Sequence, residues 1–182
     1  MERLVESIKH YAGKPGEIIS LGFPENFGGN KYVFTKLEDL DEQLWDRVIR
    51  LFGNESSIPM MKAQGKGKIV NVTSVAARTG GGPGSIAYST AKAGVSNLTR
   101  ALAKELVGYN ILVNGIAPGV ISTPFHDRFS PPEIRQKNAS LIPLGREGTP
   151  DEAAGAILFL SSSFADYITG EIIEVNGGQL MD

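Results

Sequence analysis

The sequence contains no cysteine, which excludes disulfide bonds and metal sites built from thiolates. Its two histidines, His10 and His126, lie far apart, so no histidine metal cluster is indicated. The net charge of -2 gives no basic field that would attract nucleic acid. No apolar run reaches membrane-spanning length, and residues 1–15 lack the apolar centre of a signal peptide. The expected protein is therefore cytoplasmic, with no metal and with no nucleic-acid or membrane partner.

The 182 residues, 41% of them hydrophobic, suffice for a single α/β domain. Short β-branched runs predict parallel strands at residues 68–74 and 111–117, and more weakly at 17–22. Apolar residues at steps of three and four predict helices at residues 2–11, 39–51, 87–106 and 153–160. The last helix is predicted to begin at a capping box, with Thr149 as its cap, Pro150 in its first turn and Glu152 three residues after the cap.

Tyr88 and Lys92 form the most informative pair, because they lie one turn apart at the edge of the apolar stripe of the 87–106 helix. A phenol, an ammonium and a hydroxyl donor such as Ser74 can together protonate a carbonyl oxygen while hydride arrives at its carbon. Near neutral pH this requires the phenol pKa to fall by roughly 3 units, which is worth about 4 kcal/mol. The alternative interpretation is that Tyr88 is a half-buried amphipathic residue and Lys92 a solvated side chain.

Two predicted strands end near this pair. Ser74 ends the strand at 68–74 and is followed by a glycine-rich loop at residues 80–84, which leads into the Tyr88 helix. The strand at 111–117 ends in Pro118 and Gly119, and Gly119 would let the backbone approach a ligand closely. Because ligand sites of open α/β sheets form at the carboxyl ends of strands, we expect these groups to converge on one point.

Four segments together resemble the short-chain dehydrogenase/reductase family, in particular its 3-oxoacyl-carrier-protein reductase and glucose dehydrogenase-like branch. They are residues 71–77, 88–94, 113–119 and 169–178. Residues 34–182 match strongly and residues 1–33 weakly, within one incomplete domain. The resemblance implies a Rossmann-like, doubly wound parallel sheet and an enzyme that moves hydride between NAD or NADP and a small ketone or secondary alcohol.

The resemblance also implies roles for individual residues. Tyr88 would be the proton donor or acceptor, Ser74 would polarise the substrate carbonyl, and Lys92 would bind the nicotinamide ribose and lower the Tyr88 pKa. Tyr88, Pro118 and Gly119 would lie against the cofactor, and Ile121 and Thr123 would contact its nicotinamide end. The polar stretch at residues 122–144 is expected to form a substrate lid.

Several family features are missing from the chain. It has no Thr-Gly-x-x-x-Gly-x-Gly phosphate loop, and nothing in it distinguishes NAD from NADP. The family's Asn-Asn-Ala-Gly would fall on residues 19–22, which predicts a sheet lacking its first three strands. Phe52 stands where the family has a catalytic Asn, and Asn54 nearby is interpreted as a surface-loop residue.

These observations leave two hypotheses. In the first, the chain is a 3-oxoacyl-thioester reductase-like oxidoreductase with Ser74, Tyr88 and Lys92 as its catalytic set. In the second, it is a catalytically silent truncated relative that acts only in oligomerisation or interaction. Because the strand at 17–22 would lack a neighbour on one side, we expect a homo-oligomer or an aggregation-prone protein.

Overall fold

The computed structural model describes residues 19–21, 58–123 and 132–181. Several predictions concern residues outside these ranges and stay predictions: the helices at 2–11 and 39–51, both histidines, and the interpretation of Phe52 and Asn54. Residues 124–131 of the expected lid also lie outside the described part of the chain.

The described strands form one parallel sheet in the order β1-β2-β3-β4. Their bounds are β1 Ile19–Leu21, β2 Gly67–Val72, β3 Ile111–Pro118 and β4 Ile172–Val175. The longest ladder joins β2 to β3, where Val70 is paired with Asn114. The predicted parallel sheet is therefore confirmed, and all carboxyl ends of its strands meet at one edge.

Five α-helices surround this sheet in the described residues. Their bounds are α1 Ile58–Gln64, α2 Ala76–Thr79, α3 Ile86–Leu106, α4 Pro132–Ser140 and α5 Pro150–Ser161. Two short 3-10 turns follow α3 and α5, at Val107–Tyr109 and Ser163–Ala165. The helices expected at 87–106 and 153–160 correspond to α3 and α5. No helix of the described residues combines the length and apolarity needed to cross a membrane.

Helices cover both faces of the sheet, because successive strand side chains point to opposite sides. On one face, α1 and α3 pack over β2 and β3 through Met61, Ile69, Ala103, Leu106, Ile111 and Val113. On the other face, α5 packs through Val70, Val72, Ile116, Ala153, Ile157, Leu160 and Ala165. Fully burying a side chain of this size stabilises the fold by about 1.5–3 kcal/mol. The arrangement is the doubly wound α/β architecture expected from the sequence.

The start of α5 is the predicted capping box. Thr149 Oγ1 accepts a hydrogen bond from the Glu152 amide at 3.3 Å, and Glu152 Oε2 accepts one from the Thr149 amide at 2.8 Å. Arg146 Nη1 donates to the same carboxylate at 2.9 Å. The Arg146 guanidinium, together with the Thr149 amide, lowers the pKa of Glu152 to about 2. Glu152 is thus committed to holding this helix end.

Candidate active site

The carboxyl ends of β2 and β3 are tied together just above the sheet. The Thr73 amide donates to the Ile116 carbonyl at 2.8 Å, and the Val75 amide donates to the Pro118 carbonyl at 3.0 Å. Ser74 lies between these two bonds, two residues beyond the last residue of β2. The predicted convergence of the two strand ends is therefore confirmed.

A glycine loop sets the starting point of α3. Gly80 closes α2 with a φ of 80°, and Gly81 has a φ of 71°, a backbone conformation that side-chain-bearing residues rarely adopt. A Cβ on Gly81 would also meet Ser85 Cβ at 2.8 Å. The chain can therefore turn tightly after α2 and enter α3 at Ile86, which places Tyr88 in the first turn of that helix.

Lys92 is a buried residue, with only 2% of its surface exposed. Its Nζ donates to the Val72 carbonyl at 2.9 Å and lies 5.8 Å from the centroid of the Tyr88 ring. Burial disfavours the charged form and lowers the pKa of Lys92 to about 8. The interpretation of Lys92 as a solvated side chain is wrong, and a charge held in the interior needs an explanation other than solubility.

Ser74 and Tyr88 are joined by a side-chain hydrogen bond. Ser74 Oγ accepts from the Ala76 amide at 3.1 Å, which orients the hydroxyl, and its single proton is not used by that bond. The half-buried Tyr88 phenol therefore lies within hydrogen-bond distance of the Ser74 hydroxyl. The structure brings together Ser74, Tyr88 and Lys92, the three residues that the sequence singled out.

The pKa of Tyr88 is governed mainly by burial of its phenol. Burial of the phenol raises its pKa above the usual 10, and the hydrogen bond from Ser74 opposes that rise without overcoming it. The expected lowering by Lys92 together with a bound nicotinamide stays a prediction. A phenol in this position holds its proton near neutral pH, as a general acid must before it acts.

Thr73 is a site residue that the sequence reasoning missed. Its Oγ1 donates to the main-chain carbonyl of Lys92 at 2.8 Å and lies 2.8 Å from Ser96 Oγ. Thr73 continues the strand alternation of Ile69 and Asn71, whose side chains face α3. A polar residue at that position, where the strand ends beneath the Tyr88 helix, was the available signal.

Gly119 packs closely against another part of the protein. A Cβ there would lie 2.7 Å from Gln179 Oε1 and 2.9 Å from Asn176 Cα, so the close approach is to the protein's own turn after β4. The Gly119 amide also donates to the Val175 carbonyl at 3.0 Å. Pro118 and Gly119 therefore pack tightly on residues 175–179, and the expected approach of Gly119 to a ligand stays a prediction.

Ile121 and Thr123 lie on the segment that leaves β3. Ile121 forms a parallel bridge with Gly148, and the Ser122 amide donates to the Gly148 carbonyl at 2.8 Å. Arg135 of α4 holds the same segment, since its guanidinium donates to Ser122 Oγ at 2.9 Å and binds both carboxylate oxygens of Glu147. The segment is anchored to the chain before α5, and Thr123 is its last described residue before the gap.

The chemistry of this donor set fits the nicotinamide and ribose end of a dinucleotide. Lys92 offers a buried ammonium for ribose hydroxyls, and Tyr88 offers a phenol beside it. Ser74 and Tyr88 offer two hydroxyls at one point, which can hydrogen-bond one carbonyl oxygen. The cluster can therefore protonate a carbonyl group and stabilise the charge that develops on its oxygen.

Comparison with known proteins points the same way. Residues 7–179 match a family model described as enoyl-(acyl carrier protein) reductase. The chain is 44% identical over 152 residues to a 3-oxoacyl-[acyl-carrier-protein] reductase, FabG, of Aquifex aeolicus (strain VF5), covering 80% of this chain and 59% of that protein. It is 35% identical over 149 residues to a (3R)-3-hydroxyacyl-CoA dehydrogenase of Rattus norvegicus, covering 78% and 57%.

Two solved structures are also similar. One is described as an NADPH-bound short-chain oxidoreductase from Pseudomonas aeruginosa PAO1 containing an atypical catalytic center. It has a TM-score of 0.74 and 31% identity, over 91% of this chain and 66% of that one. The other, a putative 2-deoxy-D-gluconate 3-dehydrogenase from Agrobacterium tumefaciens with bound NADP, has a TM-score of 0.71 and 35% identity, over 80% and 62%. The chain thus spans less than two thirds of the length of these relatives.

Proposed function

Because the chain belongs to the short-chain dehydrogenase/reductase family, we propose that it is an NAD(P)-dependent oxidoreductase that interconverts a ketone and a secondary alcohol. The observation that carries the proposal is the cluster of Ser74, Tyr88 and Lys92 at the carboxyl end of β2. A purely structural role would not require a phenol, a hydroxyl and a buried ammonium to meet at the edge of the sheet where such folds bind ligands.

In the reducing direction, Tyr88 Oη gives its proton to the substrate oxygen as the carbonyl carbon receives hydride. The nicotinamide cofactor, when bound, supplies that hydride. Ser74 Oγ, oriented by the Ala76 amide, donates a hydrogen bond to the same oxygen and stabilises its developing negative charge. Tyr88 is left as a phenolate, which the Lys92 ammonium 5.8 Å from its ring centroid stabilises until a proton returns from solvent.

Lys92 and the segment 118–123 would hold the nicotinamide and ribose end of the cofactor. Lys92 Nζ has three protons, and one is donated to the Val72 carbonyl, so hydrogen bonding to ribose hydroxyls is compatible with its anchored position. Pro118 is the last residue of β3, and Gly119, Ile121 and Thr123 follow it at the same edge of the sheet. The proposed cofactor is NAD or NADP.

The proposed substrate is a 3-oxoacyl thioester or a similar small carbonyl compound. The support is the names of two relatives, a 3-oxoacyl-[acyl-carrier-protein] reductase and a (3R)-3-hydroxyacyl-CoA dehydrogenase. Both names describe oxidation and reduction at the third carbon of an acyl thioester. The proposal assigns the same reaction class to this chain.

The test begins with calorimetric titration of the folded protein with NADH and with NADPH, followed by reduction of acetoacetyl thioesters. We expect micromolar binding of one cofactor and measurable turnover. Tyr88→Phe should lower kcat by about 10²–10⁴-fold, because it removes the proton donor, while cofactor binding changes little. Tyr109→Phe, at an exposed tyrosine just after α3, is the matched control and should leave both unchanged.

Folded protein that binds neither cofactor up to millimolar concentration would overturn the proposal. The silent interaction module would then be the hypothesis to pursue.

For assembly, we propose a homo-oligomer, because the described surface exposes large apolar side chains, among them Leu141, Leu144, Phe164 and Met181. Light scattering at micromolar concentration tests this, and a stable monomer would contradict it.

A further inference from the structure

Two buried threonine hydroxyls join β2 to α3 at different heights. Near the carboxyl end of β2, Thr73 Oγ1 donates to the Lys92 carbonyl at 2.8 Å. Further down the strand, Asn71 Nδ2 donates to Thr99 Oγ1 at 2.9 Å. Both threonines are almost fully buried, with 3% and 0% of their surface exposed. The same pair of elements therefore carries two similar bonds, and only one of them touches the Lys92 main chain.

The hydrogen bond of Thr73 belongs to a small network around the Lys92 carbonyl. Ser96 Oγ lies 2.8 Å from Thr73 Oγ1 and also donates to that carbonyl at 3.1 Å. At the other end of the residue, Lys92 Nζ donates to the Val72 carbonyl at 2.9 Å. Lys92 is thus fixed to the end of β2 twice, by its main chain through Thr73 and by its ammonium through Val72.

We propose that Thr73 is a positioning residue, which holds the Lys92 main chain so that the ammonium reaches the cofactor ribose and the Tyr88 phenol together. The proposal rests on the proposed oxidoreductase function. A lysine side chain has four rotatable bonds, so the position of its ammonium is well defined only when both the main chain and the ammonium itself are held. Loss of the Thr73 bond to the Lys92 carbonyl lets α3 shift against the strand and gives the ammonium alternative positions nearer to solvent.

The experiment compares Thr73→Val with Thr99→Val, since each replaces a buried hydroxyl between β2 and α3 by a methyl group of similar size. Denaturant unfolding should show comparable losses of stability for the two variants. Cofactor binding and kinetics should separate them. We expect Thr73→Val to raise the cofactor Kd and KM by tenfold or more and to lower kcat, whereas Thr99→Val stays within threefold of the unchanged protein. Thr73→Ser should restore the unchanged values to within threefold.

A readout without turnover keeps this proposal distinguishable from the proposed function. In protein carrying ¹³C-labelled lysine, the Cε signal of Lys92, assigned with Lys92→Met, reports the pKa of its ammonium. We expect that pKa to rise from about 8 towards the usual lysine value in Thr73→Val and to stay unchanged in Thr99→Val, even if the protein turns over no substrate. Ser96→Ala removes the other hydroxyl and should give the same changes at smaller size, should Thr73→Val fail to fold.

The inference is overturned by either of two results. One is a Lys92 titration that Thr73→Val or Ser96→Ala leaves unchanged. The other is an active enzyme in which Thr73→Val and Thr99→Val alter Kd, KM and kcat to the same extent, because that outcome would make Thr73 only a packing residue.

Discussion

Replacing Lys92 with methionine should stabilise the protein at neutral pH. Lys92 is 2% exposed, and burial lowers its pKa from 10.5 to about 8. Because a protonated lysine is easier to accommodate in the unfolded chain, the folded state is penalised wherever Lys92 carries charge. A difference of roughly 2.5 pKa units corresponds to about 3 kcal/mol at pH 7. Methionine has a similar length without a charge, so it removes this penalty.

The substitution also removes a buried hydrogen bond. Lys92 Nζ donates to the Val72 carbonyl at 2.9 Å, and losing a hydrogen bond of this kind costs about 1 kcal/mol. The expected net effect of Lys92→Met at pH 7 is therefore a gain of about 2 kcal/mol. The same variant should lose turnover, because it lacks the ammonium that we propose to act on Tyr88 and the cofactor ribose.

The pH dependence provides the sharper test. Lysine protons are held by the unfolded chain but released by the folded one between about pH 8 and 10.5, so the stability of the unchanged protein rises across that interval. By pH 10 the penalty on Lys92 should have fallen to about 1 kcal/mol, and Lys92→Met should have no remaining advantage. The raised pKa of Tyr88 acts only above pH 10, where it removes stability from both proteins alike.

The assay is urea unfolding of both proteins at pH 7, 8, 9 and 10, followed by circular dichroism. The quantity compared is the difference between their free energies of unfolding. A Lys92→Met protein that is less stable at pH 7, or a difference that stays constant from pH 7 to 10, would refute the reasoning that a charged lysine is buried here at a cost.

Two further predictions concern the loops around the site. Gly119→Ala should destabilise the fold by about 1–3 kcal/mol in urea unfolding, because its Cβ would collide with the Asn176 backbone. Gly155→Ala on α5 is the control and should stabilise the fold, because the added Cβ meets no atom within 4 Å. Equal effects of the two substitutions would contradict this. Arg135→Gln should destabilise by about 1–3 kcal/mol, since the side chains of its ion pair are 24% and 11% exposed, and limited proteolysis near α4 should accelerate. Arg146→Gln, in a pair that is 54% and 44% exposed, is the control and should change little; similar losses would count against the argument.

Local sequence patterns predicted the parts of the fold that depend on periodicity and on short-range chemistry. The 87–106 helix differs by one residue from α3, and the capping box of Thr149 and Glu152 is present with both of its hydrogen bonds. The strand expected at 68–74 ends at Val72, since Thr73 and Ser74 already turn towards β3 and α2. These features follow from neighbours in sequence, which a pattern can read.

The parts that were not predicted depend on residues distant in sequence. A side chain at position 119 would collide with Asn176, and the hydroxyl of Thr73 donates to the carbonyl of Lys92. The direction of the Tyr88 pKa depends on how much protein surrounds the phenol, which no spacing of residues reports. Such contacts arise only when the sheet and helices have packed.

The turn after β4 has a consequence for the order in which the protein is made. Pro118 and Gly119 acquire their conformation by packing on Val175 and Asn176, which leave the ribosome much later than the loop they support. The hydrogen bonds that join the Tyr88 helix to the end of β2, in contrast, lie within residues 67–106. The groups of Ser74, Tyr88 and Lys92 are thus held by contacts between neighbouring parts of the chain, whereas the loop beside them depends on residues that are added only after β3 and α5.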